Sequence, residues 1–115
     1  MRSPDPLRIT VEPLEEARLV RVYGEIDLSR VAALRREIDA ARHAGVTTVI
    51  DLSGVTLIDS TGLQLLLRAS RDSATSEWGF FIVRPSDAVR RLIELSHTAD
   101  LLTLVEPTAE RVLST

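Results

Sequence analysis

An apolar segment that leads directly into an amphipathic helix constrains the fold of this chain more than any other feature. Val49 and Ile50 begin an apolar, β-branched run, which is typical of a strand buried on both faces. A Ser-Gly break follows, and then a second apolar segment at residues 55–58. Residues 59–62 open a helix with an apolar stripe of Leu63, Leu66, Leu67 and Ser70. The pattern places the hydroxyl of Ser60 at a helix N-terminus, on the rim of a sheet.

Upstream of this segment the sequence predicts a hairpin and a helix. Apolar and polar residues alternate over residues 7–12, which indicates a half-buried strand, and a second strand is predicted at about residues 17–23. Because the connection at residues 13–16 is short, the two strands are expected to pair as an antiparallel hairpin. The helix has Ser29 as its predicted N-cap and ends at Gly45. Its predicted buried stripe consists of Val31, Leu34, Ile38 and Ala41.

Downstream, the sequence predicts two more strands and two more helices. Residues 80–83 form a predicted strand that ends before Pro85, and Ser86 is the predicted cap of the next helix. The side chains expected to face inward from that helix are Val89, Leu92, Ile93 and Ser96. Residues 101–105 are predicted to form a short final strand, and Pro107 is placed in the first turn of a terminal helix.

The order β-β-α-β-α-β-α-β-α predicts a single α/β domain in which helices pack on a mixed β-sheet. A chain of 115 residues has the length of one domain. Residues 1–6 contain two prolines and are predicted to form a disordered lead-in, so the predicted domain spans residues 7–115.

The charged residues and the missing residue types exclude several classes of function. The net charge of −3 provides no basic field for nucleic acid. All fourteen cationic residues are arginines, and the absence of lysine excludes mechanisms that need an amine. Without cysteine there is no disulfide, thiol nucleophile or thiolate metal site. The N-terminus lacks the apolar segment of a signal peptide, and no stretch approaches eighteen apolar residues, so a cytoplasmic protein that does not span a membrane is predicted.

Asp51, near the end of the buried strand, invites comparison with the phosphoacceptor of receiver domains. That chemistry also requires an acidic pair near the first strand and a lysine after a later one. The chain has no lysine, and its first strand ends in a lone Glu12 followed by proline. We therefore interpret Asp51 as a loop carboxylate that accepts backbone N–H groups near Ser53 and Gly54.

No catalytic or metal site can be assembled from the remaining candidates. The Asp-Ser-Thr-Gly sequence at 59–62 resembles the Asp-[Thr/Ser]-Gly of aspartic proteases but has one residue too many. His43 and His97 lack the flanking motifs of a serine hydrolase base and are predicted to be surface or hydrogen-bonded positions. Carboxylates suit Mg²⁺, but the spacing of Asp27, Asp51 and Asp59 does not demand an ion. We predict no catalytic residue, no metal and no cofactor.

Two further positions have alternative interpretations. Ser60 is either the helix cap or, if Thr61 caps the helix, a hydroxyl left free one position outside it; Thr61 and Gln64 have the spacing of a capping box. Trp78 stands where a polar turn is expected. It either packs on the edge of the sheet or supplies an interface anchor.

Residues 51–63 resemble the signature of STAS domains, the fold of bacterial anti-sigma factor antagonists. The family pattern is D-L-S-x-V-x-x-[IMF]-D-S-[ST]-G-L, and every position of it is met here. A second family block, G-E-[IL]-D, occurs at residues 24–27, at the expected distance upstream. The resemblance covers the chain from about Leu7 to the C-terminus.

The resemblance implies a partner-switching function. In the family, the serine that matches Ser60 is phosphorylated by the cognate anti-sigma factor, a serine kinase that also sequesters a sigma factor. Ser60 is thus the expected phosphorylation site, and Thr61, where the family often has serine, is a secondary one. The expected partner surface consists of Asp27, Asp59, Ser60, Thr61 and Gly62. ATP and Mg²⁺ would belong to the kinase, and the protein itself would be a monomer or a weak dimer.

STAS domains also serve as scaffold subunits of stress-signalling complexes and as accessory subunits of lipid transporters. The resemblance therefore implies a second function of another class. The intact Asp-Ser-Thr-Gly block and the absence of further domains in the sequence favour the sigma factor switch. Which sigma factor is served does not follow from these residues.

Overall fold

The computed structural model describes residues 6–106, and their order of elements follows the predicted alternation of strands and helices. The elements are β1 (Arg8–Pro13), β2 (Ala17–Ile26), α1 (Val31–Ala44), β3 (Thr47–Ile58), α2 (Ser60–Ala74), β4 (Phe80–Val83), α3 (Asp87–Ser96) and a 3₁₀ turn (Ala99–Leu101). The predicted terminal helix beginning at Pro107 lies outside the described residues. So does the predicted lead-in, except Pro6, which is exposed and has no regular structure.

The four described strands form one mixed sheet in the order β1-β2-β3-β4. β1 and β2 pair antiparallel, which confirms the predicted hairpin. β2 pairs with β3 in parallel, and so does β3 with β4, which makes the sheet mixed as predicted. The carboxyl ends of β2 and β3 therefore lie side by side at one end of the sheet. The carboxyl ends of the strands are the usual position of binding sites in α/β domains.

The helices α1, α2 and α3 pack on one face of this sheet and enclose the main core. The buried stripe of α1 consists of Val31, Leu34, Ile38 and Ala41, as predicted. Gly45 ends the helix in the left-handed conformation, with φ of 71°, as its predicted role requires. In α3, Ser86 caps the helix by accepting the N–H of Val89 at 3.3 Å, also as predicted. Ser96 was predicted to face inward, but it is exposed at the end of that helix.

The predicted break in the central strand is wrong. β3 continues through Ser53 and Gly54, and a shift in its register with β2 lies at this point. The ring of Tyr23 covers Gly54 so closely that an added Cβ would lie 2.4 Å from Cδ1 of the ring. The glycine is needed for this close approach, and it interrupts the hydrophobic pattern without ending the strand.

The predicted final strand at residues 101–105 is also wrong. Leu101 ends a 3₁₀ turn, and the only ladder contact of this segment within the described chain is an isolated parallel bridge between Leu104 and Ile82. The N–H of Thr103 donates to the Ser70 hydroxyl at 3.2 Å. Because this backbone group bonds to a helix side chain, the segment contributes a single bridge to the sheet.

Trp78 packs inside the domain, which confirms the first of its two interpretations. Its side chain is buried, and its ring lies 5.3 Å from that of Phe80. The indole N–H donates to the carbonyl of Val46 at 2.9 Å, so the polar end of the side chain is satisfied within the molecule. The alternative, an interface anchor, is wrong because the ring is not available to a partner.

Candidate functional site

Ser60 lies at the junction of β3 and α2, on the rim of the sheet, as predicted from the sequence. It is the first residue of α2 and is exposed. Within residues 6–106, its hydroxyl makes no hydrogen bond. Both predicted positions of Ser60, the helix cap and one position outside the helix, are wrong, because the preceding residue, Asp59, is the N-cap. The result is an unengaged hydroxyl in the first turn of a helix.

Asp59 caps α2 and also connects two segments that are distant in the sequence. Its Oδ1 accepts the N–H of Thr61 at 2.9 Å, the N–H of Gly62 at 3.2 Å and the Thr61 hydroxyl. Its Oδ2 accepts the N–H of Leu28, which follows β2, at 3.1 Å. The predicted capping by Thr61 is wrong. The Asp59 carboxylate accepts the N–H groups in the first turn of α2, and the Thr61 hydroxyl itself donates to that carboxylate.

The charge of Asp59 is stabilised by these same contacts. Burial of the carboxyl group raises its pKa, but the hydrogen bonds from Thr61, Gly62 and Leu28 outweigh burial and lower the pKa below its ordinary value. Asp59 is therefore ionised at neutral pH, which the N-terminal end of the helix dipole also favours.

Asp27 organises the turn between β2 and α1. Its Oδ1 accepts the Ser29 hydroxyl at 2.9 Å and the N–H of Arg30 at 3.1 Å, and its Oδ2 pairs with the Arg30 guanidinium. The predicted N-cap role of Ser29 is wrong: α1 begins after Arg30, and no side chain caps it. The reason is that the Asp27 carboxylate binds the Ser29 hydroxyl, and the N–H of Arg30 donates to both the carboxylate and the carbonyl of Asp27.

The two sequence blocks that resemble the STAS signature are neighbours in space. Ile26 and Ile58 are register partners at the ends of β2 and β3, and the N–H of Asp59 donates to the carbonyl of Ile26 at 3.1 Å. Together with the bond from Leu28 to Asp59, this contact holds the turn after β2 against the start of α2. The predicted residues Asp27, Asp59, Ser60 and Thr61 therefore lie in one region of the surface.

Gly62 belongs to the same block but is buried. A Cβ added at this position would lie 2.7 Å from Cγ2 of Ile26 and 2.9 Å from Cγ1 of Ile58. The resemblance implied that Gly62 belongs to the partner surface, whereas in the structure the absence of a side chain permits the close approach of α2 to its own sheet.

We expect Gly62→Ala to lower the free energy of unfolding by about 1–3 kcal/mol, because the methyl group overpacks the contact with Ile26 and Ile58. Urea denaturation measures this change. Ala69→Gly is a matched control, since this buried position on the same helix loses a methyl group and helix propensity without any collision. The packing argument fails if Gly62→Ala is as stable as the original protein.

Two exposed leucines border this region and were not identified from the sequence. Leu28 is 73% exposed, and Leu57, opposite Glu25 in the register of β2 and β3, is 42% exposed. Large apolar side chains exposed beside polar ones are a feature of protein-binding surfaces. The sequence signal was a leucine directly after the Gly-Glu-Ile-Asp block, which periodicity alone does not distinguish from a helix residue.

The three aspartates considered for a cation do not converge. The N–H of Ser53 donates to Oδ1 of Asp51 at 2.9 Å, as predicted, although the carboxylate lies on a strand and not in a loop. Its Oδ2 faces Arg84 at 3.4 Å. In the part of the chain that the structure describes, no three His, Cys, Asp or Glu side chains are grouped as metal ligands would be. His43 and His97 are both exposed, as predicted.

Comparison with known proteins identifies the family. The family model described as "Mlab, STAS domain" matches residues 9–106. The anti-sigma-F factor antagonist RsfB of Mycobacterium tuberculosis is 33% identical over 96 residues, which cover 83% of this chain and 78% of RsfB. The chain belongs to the STAS domain family of anti-sigma factor antagonists.

Solved structures of other proteins share the fold. An anti-sigma factor antagonist from Mycobacterium paratuberculosis is 32% identical to this STAS domain with a TM-score of 0.77, over 90% of this chain and 89% of that one. The phosphorylated form of SpoIIAA, a Bacillus cell fate determinant, has a TM-score of 0.69 at 21% identity, over 91% and 99% of the two chains. Because its identity is only 21%, the comparison with SpoIIAA supports the fold alone. Across the described residues, no helix is both long and apolar enough to span a membrane.

Proposed function

We propose that this STAS domain binds an anti-sigma factor with serine kinase activity, and that this binding releases a sigma factor. Phosphorylation of Ser60 by that kinase then switches the binding off. The observation that carries the proposal is the exposed Ser60 hydroxyl, which has no hydrogen bond within residues 6–106 although it stands beside a cap that bonds its neighbours. In this proposal the protein is a cytoplasmic binding module without catalytic activity of its own.

The proposed docking surface combines polar and apolar contacts around Ser60. Leu28, which follows β2, and Leu57, near the end of β3, supply exposed apolar area. Asp27 and Asp59 contribute negative charge, although internal hydrogen bonds already hold both carboxylates. A partner that presents apolar side chains and a cationic group fits this combination. Thr61, which is half-buried, lies at the inner margin of the surface.

Ser60 and Thr61 differ in ways that determine which hydroxyl accepts phosphate. The Thr61 hydroxyl donates to Asp59, so transfer of a phosphoryl group from ATP to this oxygen would remove the donated proton, break a bond at the helix cap and bring a phosphate against a carboxylate. The Ser60 hydroxyl is exposed and requires no rearrangement. These contacts support Ser60 as the principal site and Thr61 as a minor one.

We expect incubation with the cognate kinase and ATP to phosphorylate Ser60 and to leave Thr61 almost unmodified. Mass spectrometry of the proteolysed product locates the phosphate. Ser60→Ala should lose most of the incorporation, while Thr61→Val, which keeps the shape and removes the hydroxyl, should retain it. Full incorporation into Ser60→Ala would contradict the assignment of the site.

A scaffold or transporter-accessory role is the second candidate, since the resemblance implies it and the matching family model is described as "Mlab, STAS domain". The anti-sigma factor antagonists among the relatives favour the first function. Affinity capture with the purified cognate anti-sigma factor distinguishes the two candidates. Failure to bind in the unphosphorylated state would favour the scaffold or accessory role.

A further inference from the structure

The outer side of β1 is a sheet edge that no strand covers within residues 6–106. Among the described strands, β1 (Arg8–Pro13) is the outermost on its side and pairs with β2 alone. Five of its six residues, all except Ile9, are exposed, including Val11 at 40%. Strand edges with unpaired backbone groups are templates for further strand pairing.

The register of the hairpin determines which backbone groups face outward. The N–H of Leu14 donates to the carbonyl of Ala17 at 2.8 Å, and these two residues continue the register of Pro13 opposite Arg18. In antiparallel pairs, hydrogen-bonded and non-hydrogen-bonded positions alternate. The even-numbered residues of β1 therefore bond to β2, and the N–H and C=O groups of Ile9 and Val11 point to the open side.

The sequence of this edge is complementary to itself. If two copies of β1 pair antiparallel about a two-fold axis at Thr10, Arg8 of each copy lies opposite Glu12 of the other. Ile9 lies opposite Val11, and Thr10 lies opposite Thr10. Opposite charges, β-branched pairs and threonine pairs are all favourable cross-strand combinations.

The two charged side chains are held in place within each copy. Glu12 accepts a bond from Arg21 through Oε1 at 2.9 Å, and the described residues give its Oε2 no hydrogen bond. The Arg8 guanidinium lies 4.8 Å from the centre of the Tyr23 ring. Both side chains thus lie over β2 on one face of the sheet. A second copy could contact them there while the bond to Arg21 and the contact with Tyr23 remain in place.

We propose that β1 is a homodimerisation strand, which joins two copies into one continuous sheet by antiparallel pairing about Thr10. Ile9 and Val11 supply about four backbone hydrogen bonds between the copies. Val11 becomes covered by Ile9 of the second copy. β1 pairs with residues 18–23 of β2, whereas the Ser60 region follows the carboxyl ends of β2 and β3, so both docking surfaces stay accessible in the dimer.

Charge reversal tests both the pairing and its register. We expect Arg8→Glu alone and Glu12→Arg alone each to raise the dimer dissociation constant about tenfold or more, because two attractive pairs become two repulsive ones. An equimolar mixture of these two variants should dimerise again, since glutamates then face arginines at both positions. Sedimentation equilibrium over a range of concentrations measures the dimer dissociation constant of the two variants, of their mixture and of the original protein.

Two further variants separate dimerisation from folding. Arg35→Glu and Glu94→Arg make matched reversals at exposed positions on α1 and α3 and should leave the dissociation constant unchanged. Val11→Pro removes an outward N–H without removing a bond to β2, and should abolish the dimer while the thermal melt stays close to that of the original protein.

Hydrogen exchange supplies a second readout. The amides of Ile9 and Val11 should exchange more slowly as the protein concentration rises, while that of Thr10 is protected throughout. A protein that remains monomeric at millimolar concentration overturns the proposal. So does a dimer that Val11→Pro and the single reversals leave intact. Protection of Ile9 and Val11 only when the anti-sigma factor is added would assign this edge to the partner and would also overturn it.

Discussion

Phosphorylation of Ser60 is expected to weaken binding to the anti-sigma factor about a hundredfold or more and to leave the melting temperature almost unchanged. A hundredfold change corresponds to about 2.8 kcal/mol, which burial of one unpaired charge in an interface can supply. The phosphate brings about −1.5 to −2 charges to an exposed site at a helix N-terminus, where the helix dipole favours negative charge by about 0.3–1 kcal/mol. The free domain therefore tolerates the modification, and the docked complex does not.

Calorimetry of four forms of the protein tests this expectation. Ser60→Ala removes a hydroxyl that makes no bond within the described chain, so it should bind as tightly as the original protein and stay active in the presence of kinase. Ser60→Asp carries a planar carboxylate with a single charge, so its affinity for the anti-sigma factor should lie between those of Ser60→Ala and the phosphoprotein. Ala40→Asp, at an exposed position on α1, controls for the added charge.

The order of the four affinities shows whether binding is weakened by the charge of the phosphate or by the loss of a direct contact between the Ser60 hydroxyl and the partner. If Ser60→Ala binds as poorly as Ser60→Asp, the hydroxyl itself contacts the partner and the electrostatic argument fails. If the phosphoprotein melts far below the original protein, the switch acts through the fold and not through the surface.

Asp59→Ala is expected to lower the free energy of unfolding by about 1–3 kcal/mol at neutral pH, the range for losing an N-cap and leaving partly buried N–H groups without an acceptor. The N–H groups of Leu28, Thr61 and Gly62 all lose their acceptor. The affinity for the partner should fall as well, because the turn after β2 is no longer held against α2. Ser86→Ala is the matched control: it removes a cap that makes one bond on α3, and it should cost about 1 kcal/mol without affecting partner affinity.

The stabilisation by Asp59 should depend on pH in a defined direction. Its folded-state pKa is lowered, so the contribution is fully present above the unfolded pKa of about 4 and is lost as the pH falls through the lower folded value. The difference in stability between the original protein and Asp59→Asn should therefore be largest at pH 7 and shrink below about pH 4. Urea denaturation at several pH values measures it. An equal difference at pH 7 and pH 3 would show that the carboxylate charge is not the source.

The sequence predicted best those features that depend on neighbouring residues. The 3.6-residue spacing of Val31, Leu34, Ile38 and Ala41 determines which face of α1 is buried, and Gly45 and Ser86 act at helix ends through local backbone bonds. The polar residues that precede the leucine stripe of α2 placed Ser60 at the start of a helix for the same local reason. These signals need no knowledge of the rest of the molecule.

The errors have two origins: local competition between possible caps, and partners that are distant in the sequence. Thr61 and Gln64 have capping-box spacing, but the Asp59 side chain serves as the cap by accepting the N–H groups of Thr61 and Gly62. The segment after Leu101 has strand-like composition, yet Thr103 bonds to Ser70 on α2 and only one bridge to β4 forms.

For this STAS domain, the sequence by itself determined the order of the described elements, the buried faces of the helices and the position of the Ser60 hydroxyl. Only the tertiary structure decided what surrounds that hydroxyl: the parallel pairing of β2 with β3 that brings Asp27 beside Asp59, the packing of Gly62 against Ile26, and the exposure of Leu28. Periodicity reports which face of an element is apolar. Which atoms meet across two elements depends on strand register and helix placement, which the whole domain sets together.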